Sequence, residues 1–279
     1  MPKGPLLELF YLMLNTMINA LRQLKITALS LFWKQLRLVQ IWMGGKSCRV
    51  PLKKIGDAMH HVFFGYYDIC PFNKDGSILL ANRLKKKDFS KSSTATMEVG
   101  FYEINNDPVK FYKVADTTTW CSQQGCRLQW YPAANEKQIL YNCIIGNNHG
   151  CVIQDIESGE VIRSIPRSVY ALSPNGNWGL NLNFSRLHRL REGYGYSNFQ
   201  DTTRDELAPD NDGIWLIDMS SGKDKLLLSV KEMTSFESME TMKGAEHYFN
   251  HLLFSPSGKR FLFFHIWVKN QKRYTRLIT

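Results

Sequence analysis

His247, His251 and His265 bracket the stretch HYFNHLLFSPSGKRFLFFH, in which two apolar runs flank a Ser-Pro-Ser-Gly turn. Imidazole suits both proton transfer near neutral pH and the holding of a first-row metal. A hairpin turning near Gly258 sets His251 nearly opposite His265, about 5 Å away across the strand pair. His247 lies four residues earlier, about 13 Å off in extended chain, and comes close only if a helical turn forms over 245–250. With an oxygen donor from Asn250 or Gln124, such a set suits Mn, Fe, Zn or Ni. The alternative is that the ring nitrogens bond to loop carbonyls and hold no metal.

A second chemically dense stretch is FSRLHRLREGYGYSNFQDTTRDELAPDND, the 29 residues from Phe184 to Asp212. Its first part sets Arg186, His188, Arg189 and Arg191 beside Tyr194 and Tyr196. Guanidinium forks grip carboxylate or phosphate, and tyrosine rings stack on sugar faces. Arg83, Lys85, Lys86 and Lys87 leave an earlier strand close together, so this surface should attract anions. The bland alternative is a solvated, charged loop. There is no Walker loop, GxSxG elbow or HExxH, which leaves NTPase, serine-hydrolase and zincin chemistry without support.

The elements that must position these residues repeat along the chain. YYDICPFNKDGSILLAN (66–82), CRLQWYPAANEKQILYN (126–142), VYALSPNGNWGLNLNF (169–184) and NHLLFSPSGKRFLFFH (250–265) each read as an apolar strand, a polar turn led by proline, and a second strand. A further strand pair follows three of them, at 98–114, 151–165 and 213–230. Four strands per unit with this punctuation is the pattern of propeller blades. We therefore expect an all-β propeller of about four blades. The last stops in its third strand at YTRLIT, so more strands are expected beyond Thr279, or something else covering that edge. In this geometry all seven histidines fall on the face where each first strand is entered and each second strand is left.

Composition assigns the rest. The chain has 279 residues, 44% of them hydrophobic and 13% aromatic, which fits large rings packed between sheets. Of the net charge of +10, +7 lies in residues 1–60, where nine Lys/Arg face only Glu8 and Asp57. The basicity is local, and no nucleic-acid partner is expected. Residues 1–45 read as an amphipathic helical segment, with polar residues at three- and four-residue steps from Pro5 to Met43 and a stop at Gly44-Gly45. Its longest uncharged run, Leu9 to Leu21, has thirteen residues against the roughly 20 that a membrane span needs. It lacks the charge order of a signal peptide. Over residues 5–43 it suits either an anionic membrane surface or packing on protein. Residues 46–279 are the expected propeller domain. The cysteines form no CxxC pair and read as buried thiols in a reducing compartment, so the expected location is cytoplasmic, on the inner membrane surface if the helix binds it.

The stretches HHVFFGYYDICPFNKDG, WCSQQGCRLQWYP, YALSPNGNWGLNLNFSRLHRLREGYGYSN and HYFNHLLFSPSGKRFLFFH resemble a family of bacterial propeller proteins linked to surface-polysaccharide gene clusters. That family is in turn similar to the seven-bladed oligogalacturonate lyases. The resemblance covers residues 60–279. It implies a divalent metal, usually manganese, held by His247, His251 and His265, with Gln124 as oxygen ligand. It also implies His188 as base and Arg186 as carboxylate clamp in a β-elimination on an acidic oligosaccharide or polysaccharide, with Arg189, Tyr194 and Arg83 as further substrate contacts. A close Gln-x-x-His-x-His cluster is not matched. The competing expectation is a non-catalytic module that binds such a glycan or serves in surface-polysaccharide assembly.

Overall fold

Each of the four turn-punctuated segments folds as an antiparallel hairpin, and polar side chains in the turns hold the second strand in place. Asn73 Oδ1 accepts from the Ile78 amide at 2.8 Å, and Ser173 Oγ accepts from the Trp178 amide at 2.9 Å. The computed structural model describes residues 52–85, 95–134 and 136–279. The amphipathic segment expected over 1–45, together with Lys86 and Lys87, lies outside the described residues.

The first sheet is β1 (His60–Phe63), β2 (Ile78–Lys85), β3 (Met97–Glu103) and β4 (Phe111–Thr117), paired in that order. The second is β5 (Gln129–Trp130), β6 (Gln138–Ile145), β7 (Asn148–Asp155) and β8 (Val161–Ile165). The third is β9 (Ala171–Leu172), β10 (Trp178–Asn181), β11 (Gly213–Asp218) and β12 (Asp224–Ser229). The fourth has three strands, β13 (Glu246–Phe254), β14 (Phe261–Lys269) and β15 (Lys272–Ile278). All pairings are antiparallel between chain neighbours, the blade pattern of a propeller arrangement. Residues Ile55–Thr279 form one unit.

The core lies between successive sheets. Leu80, Met97, Val99, Trp120 and Ile139 fill the space between the first and second, and Leu140, Ile153, Val169 and Ile217 that between the second and third. Tyr170, Phe184, Tyr196, Tyr248 and Phe263 fill the space between the third and fourth. Burying each such side chain contributes roughly 1.5–3 kcal/mol. Buried asparagines late in the second strands tie loops to this frame. Asn82 donates to Phe64 O, Asn142 to Val169 O and Asn181 to Ser168 O.

Two local departures from the repeat alter the entry to the first sheet and the long connection in the third. The strand expected to begin at Tyr66 instead begins at His60. It pairs with the far end of β2, leaves the sheet at Gly65 and rejoins it through the Phe72–Leu79 bridge. The stretch expected to be a 29-residue loop opens with helix α1 (Phe184–Leu190), capped by Asn183 Oδ1 accepting from the Arg186 amide. A second short helix, α2 (Val230–Ser235), follows β12 behind a capping box of Ser229 and Glu232. Among the described residues no helix is long and apolar enough to cross a membrane.

Candidate functional site

The histidine hairpin turns at Gly258 as expected, but its register differs. Phe249, not His251, lies opposite His265, and His247 lies opposite Trp267, because the pairing shifts between Asn250 and Leu253. At that bulge His251 takes φ 55°, a left-handed conformation that a residue with a Cβ holds only under constraint. His251 and His265 are consequently mid-strand rather than at the strand ends.

The three predicted ligands do not meet. His247 Nδ1 is 2.9 Å from His265 Nε2. Arg276 Nε, a donor only, gives its proton to His265 Nδ1 at 3.0 Å, so His265 carries its own proton on Nε2 and donates it to His247. His247 in turn donates from Nε2 to Met242 O at 3.2 Å. All four ring nitrogens are thus occupied within the protein, and both rings are buried. Burial pushes the His265 pKa down to about 3, with His247 and Arg276 adding to the shift, and it lowers that of His247 as well. His251 instead faces Tyr66, Phe264 and Tyr194. Among the described residues no three His, Cys, Asp or Glu side chains gather as a metal-ligand set. As arranged, His247, His251, His265 and Gln124 do not fit the expected manganese.

Arg186 also has a different role from the clamp expected of it. It is 2% exposed, and its donors go to His247 O, to Thr203 O and Oγ1, and to Glu206 O and Leu207 O, at 2.8–3.2 Å. It staples the long loop to α1 and β13 and leaves no fork for a substrate. Arg189 is paired with Asp201 at 2.9 Å and Glu246 at 2.5 Å. His188 lines a separate cavity of about 300 Å³ with Ser122, Gln123 and Glu192. Arg83 belongs to the first sheet, where Glu98 pairs with it at 2.6 Å and the Phe111 ring lies 4.2 Å away.

What the fold does assemble is a mouth where the first strands of the four sheets converge. Gly65 (φ 133°) lets the chain leave β1 beside the next segment, since a Cβ there would lie 2.8 Å from Gln124 O. The excursion carries Tyr66, Tyr67 and Asp68. Asp68 receives two bonds from Arg127, at 3.1 and 2.9 Å. Arg127 is buried, donates from Nε to Tyr170 O at 2.8 Å and lies 4.2 Å over the Tyr170 ring. The Tyr170 hydroxyl accepts from Gln124 Nε2 and from the His251 amide, and donates to Asn250 Oδ1. That grip accounts for the bulge at His251. Two buried polar atoms are left over here, Gln124 Oε1 and Asn250 Nδ2.

Above this floor, Tyr66 packs against Tyr67 (4.3 Å between ring centroids), His251 (5.4 Å) and Tyr194 (6.2 Å). Burial raises the Tyr66 pKa, and its tyrosine neighbours add to the shift, so it stays a neutral phenol. Burial lowers that of His251, assisted by Arg191. Tyr67 is 81% exposed. Arg191 lies 4.1 Å over the Tyr194 ring and donates to its hydroxyl at 3.1 Å. Arg191 takes part in none of the ion pairs among the described residues, whereas Asp68 is neutralised by Arg127. The mouth therefore offers aromatic faces and one uncompensated cation.

Of the expected contacts Tyr194, Gln124 and Asn250 belong to this mouth, with His251 as part of its aromatic wall. Tyr66, Tyr67, Asp68, Arg127 and Tyr170 were not expected there. The available signal was positional, because each lies in or beside the opening strand of one repeat, in GYYD, GCR, SVYALS and YFNH.

No family model and no curated relative matches the chain. Solved structures do. TolB from Acinetobacter baumannii matches at 9% identity and a TM-score of 0.42, over 78% of this chain and 41% of that one. An oligogalacturonate lyase from Vibrio parahaemolyticus matches at 11% identity and a TM-score of 0.39, over 77% and 63%. The AtxE2 isopeptidase in its apo form matches at 7% identity and a TM-score of 0.36, over 77% and 38%. The chain spans less than two thirds of the length of each, and the likeness is distant and one of fold.

Proposed function

We propose that this propeller is a recognition module for an acidic oligosaccharide, held at the tyrosine mouth. The observation that carries the reading is Arg191, a guanidinium without a carboxylate partner among the described residues, fixed on Tyr194, whose ring in turn packs with Tyr66. Rings stack on the apolar faces of sugars, and a guanidinium pairs with a uronate carboxylate. Binding is favoured over β-elimination by the fate of the expected catalytic groups. Arg186 is consumed by backbone carbonyls, and the cavity that His188 lines includes neither Tyr194 nor His251.

The test is calorimetric titration with trigalacturonate and with its carboxyl-reduced, neutral counterpart. The acidic trimer should bind and the neutral one should bind more weakly, with the difference shrinking as salt is raised. Prolonged incubation should give no unsaturated-uronate ultraviolet absorbance. Equal affinity for both trimers, or steady growth of that absorbance, would contradict the proposal.

A further inference from the structure

We infer that a cavity of about 450 Å³ between the second and third sheets is a separate binding site for a neutral sugar ring. It shares no lining residue with the tyrosine mouth, so it stands apart from the acidic-glycan reading. Its volume is in the range of small-molecule sites, and Asn148, Asn181, Asn183 and Asn211 are among its lining residues.

The charges around it are already compensated. Arg167 lies 3.8 Å over the Trp215 ring and is paired with Asp224, forming one wall. Asp212 is held by Asn183 Nδ2 at 2.7 Å and by the Gly213 amide at 2.8 Å, with its pKa raised by burial. His149 is kept neutral, its pKa pushed down to about 4 by burial, and its Nε2 has no partner. An anion would find no free cation here, and a metal would find no set of open ligands.

Of the remaining uncharged polar groups, Ser168, Asn181 and Thr203 are held by neighbouring groups, and two asparagines are uncommitted. Asn148, the first residue of β7, and Asn211, at the end of the long loop, make no side-chain hydrogen bond among the described residues. Carboxamides both donate and accept, which is what a ring of hydroxyl groups requires. An anionic ligand would favour arginine or lysine in these places.

The experiment is saturation-transfer NMR and calorimetry with maltose, cellobiose, lactose and glycerol. At least one disaccharide should bind saturably and more tightly than glycerol. Asn148→Ala and Asn211→Ala should each weaken it by about fivefold, the loss of one hydrogen bond. Both positions are exposed, so the fold should persist. Arg191→Gln, in the mouth, should leave disaccharide binding unchanged. The inference is overturned if no disaccharide binds, if glycerol binds equally well, or if both asparagine variants bind as the parent does.

Discussion

His265 donates from Nε2 to Nδ1 of His247 across 2.9 Å in the interior of the fourth sheet, and Arg276 fixes the direction of that bond. The pair is neutral, and its chemistry is structural. Replacing His265 by Ala leaves Arg276 Nε and His247 Nδ1 without partners and opens a cavity. We expect a loss of about 2–4 kcal/mol in urea unfolding. An unchanged midpoint would contradict the hydrogen-bond chain.

The same pair predicts acid sensitivity. His265 has its folded pKa depressed to about 3 and His149 to about 4, both below the usual 6.5, and His247 is lowered too. The unfolded chain therefore takes up these protons first. Stability should be full above about pH 6.5 and fall as pH drops from there toward 4 and 3. The slope should approach about 1.4 kcal/mol per pH unit for each such histidine. Urea midpoints measured between pH 7.5 and 4.5 check this, and a flat profile would contradict it.

Arg186 and Arg189 are neighbours in one helix with unequal roles. Arg186→Ala removes a buried guanidinium that serves several carbonyls, and should cost about 3–5 kcal/mol. Arg186→Lys should restore little, because an ammonium cannot reach that fan of acceptors. Arg189→Ala removes a partly exposed partner of the buried Asp201, which keeps its bonds from Thr203, and should cost less, about 1–2 kcal/mol. Thermal melts of the three variants give the order.

Gly65 controls the mouth through the backbone. At φ 133° with Gln124 O 2.8 Å from a would-be Cβ, Gly65→Ala should force the segment from Tyr66 to Asp68 to shift. The cost should be about 1–3 kcal/mol, with a matching loss of trigalacturonate binding. Full retention of both would mean the segment is free to relocate.

The blades were legible because alternating strands and proline-led turns are local signals, and the strand pairs at 98–114, 151–165 and 213–230 correspond to β3–β4, β7–β8 and β11–β12. The site was less so. The bulge at His251 arises because Tyr170, 81 residues earlier, holds its amide, and no window around His251 carries that information. A two-residue offset in register, arising at the bulge, put Phe249 where His251 was expected, opposite His265. The resemblance cast Arg186 as a carboxylate clamp, while the carbonyls that consume it come from the far end of its own loop and from β13. Helix α1 was hidden by charges that suggested a solvated loop, although Asn183 already stood at its cap.

The most direct measurement is a titration of trigalacturonate into the parent protein, Tyr67→Ala and Arg191→Gln at low salt, with thermal melts run in parallel. Tyr67 is exposed and Arg191 carries no ion pair among the described residues, so both variants should melt as the parent does. Each should bind about fivefold to tenfold more weakly, and Arg191→Gln should also lose the salt dependence. Parent-like affinity in both folded variants would contradict the placing of an acidic glycan at this mouth.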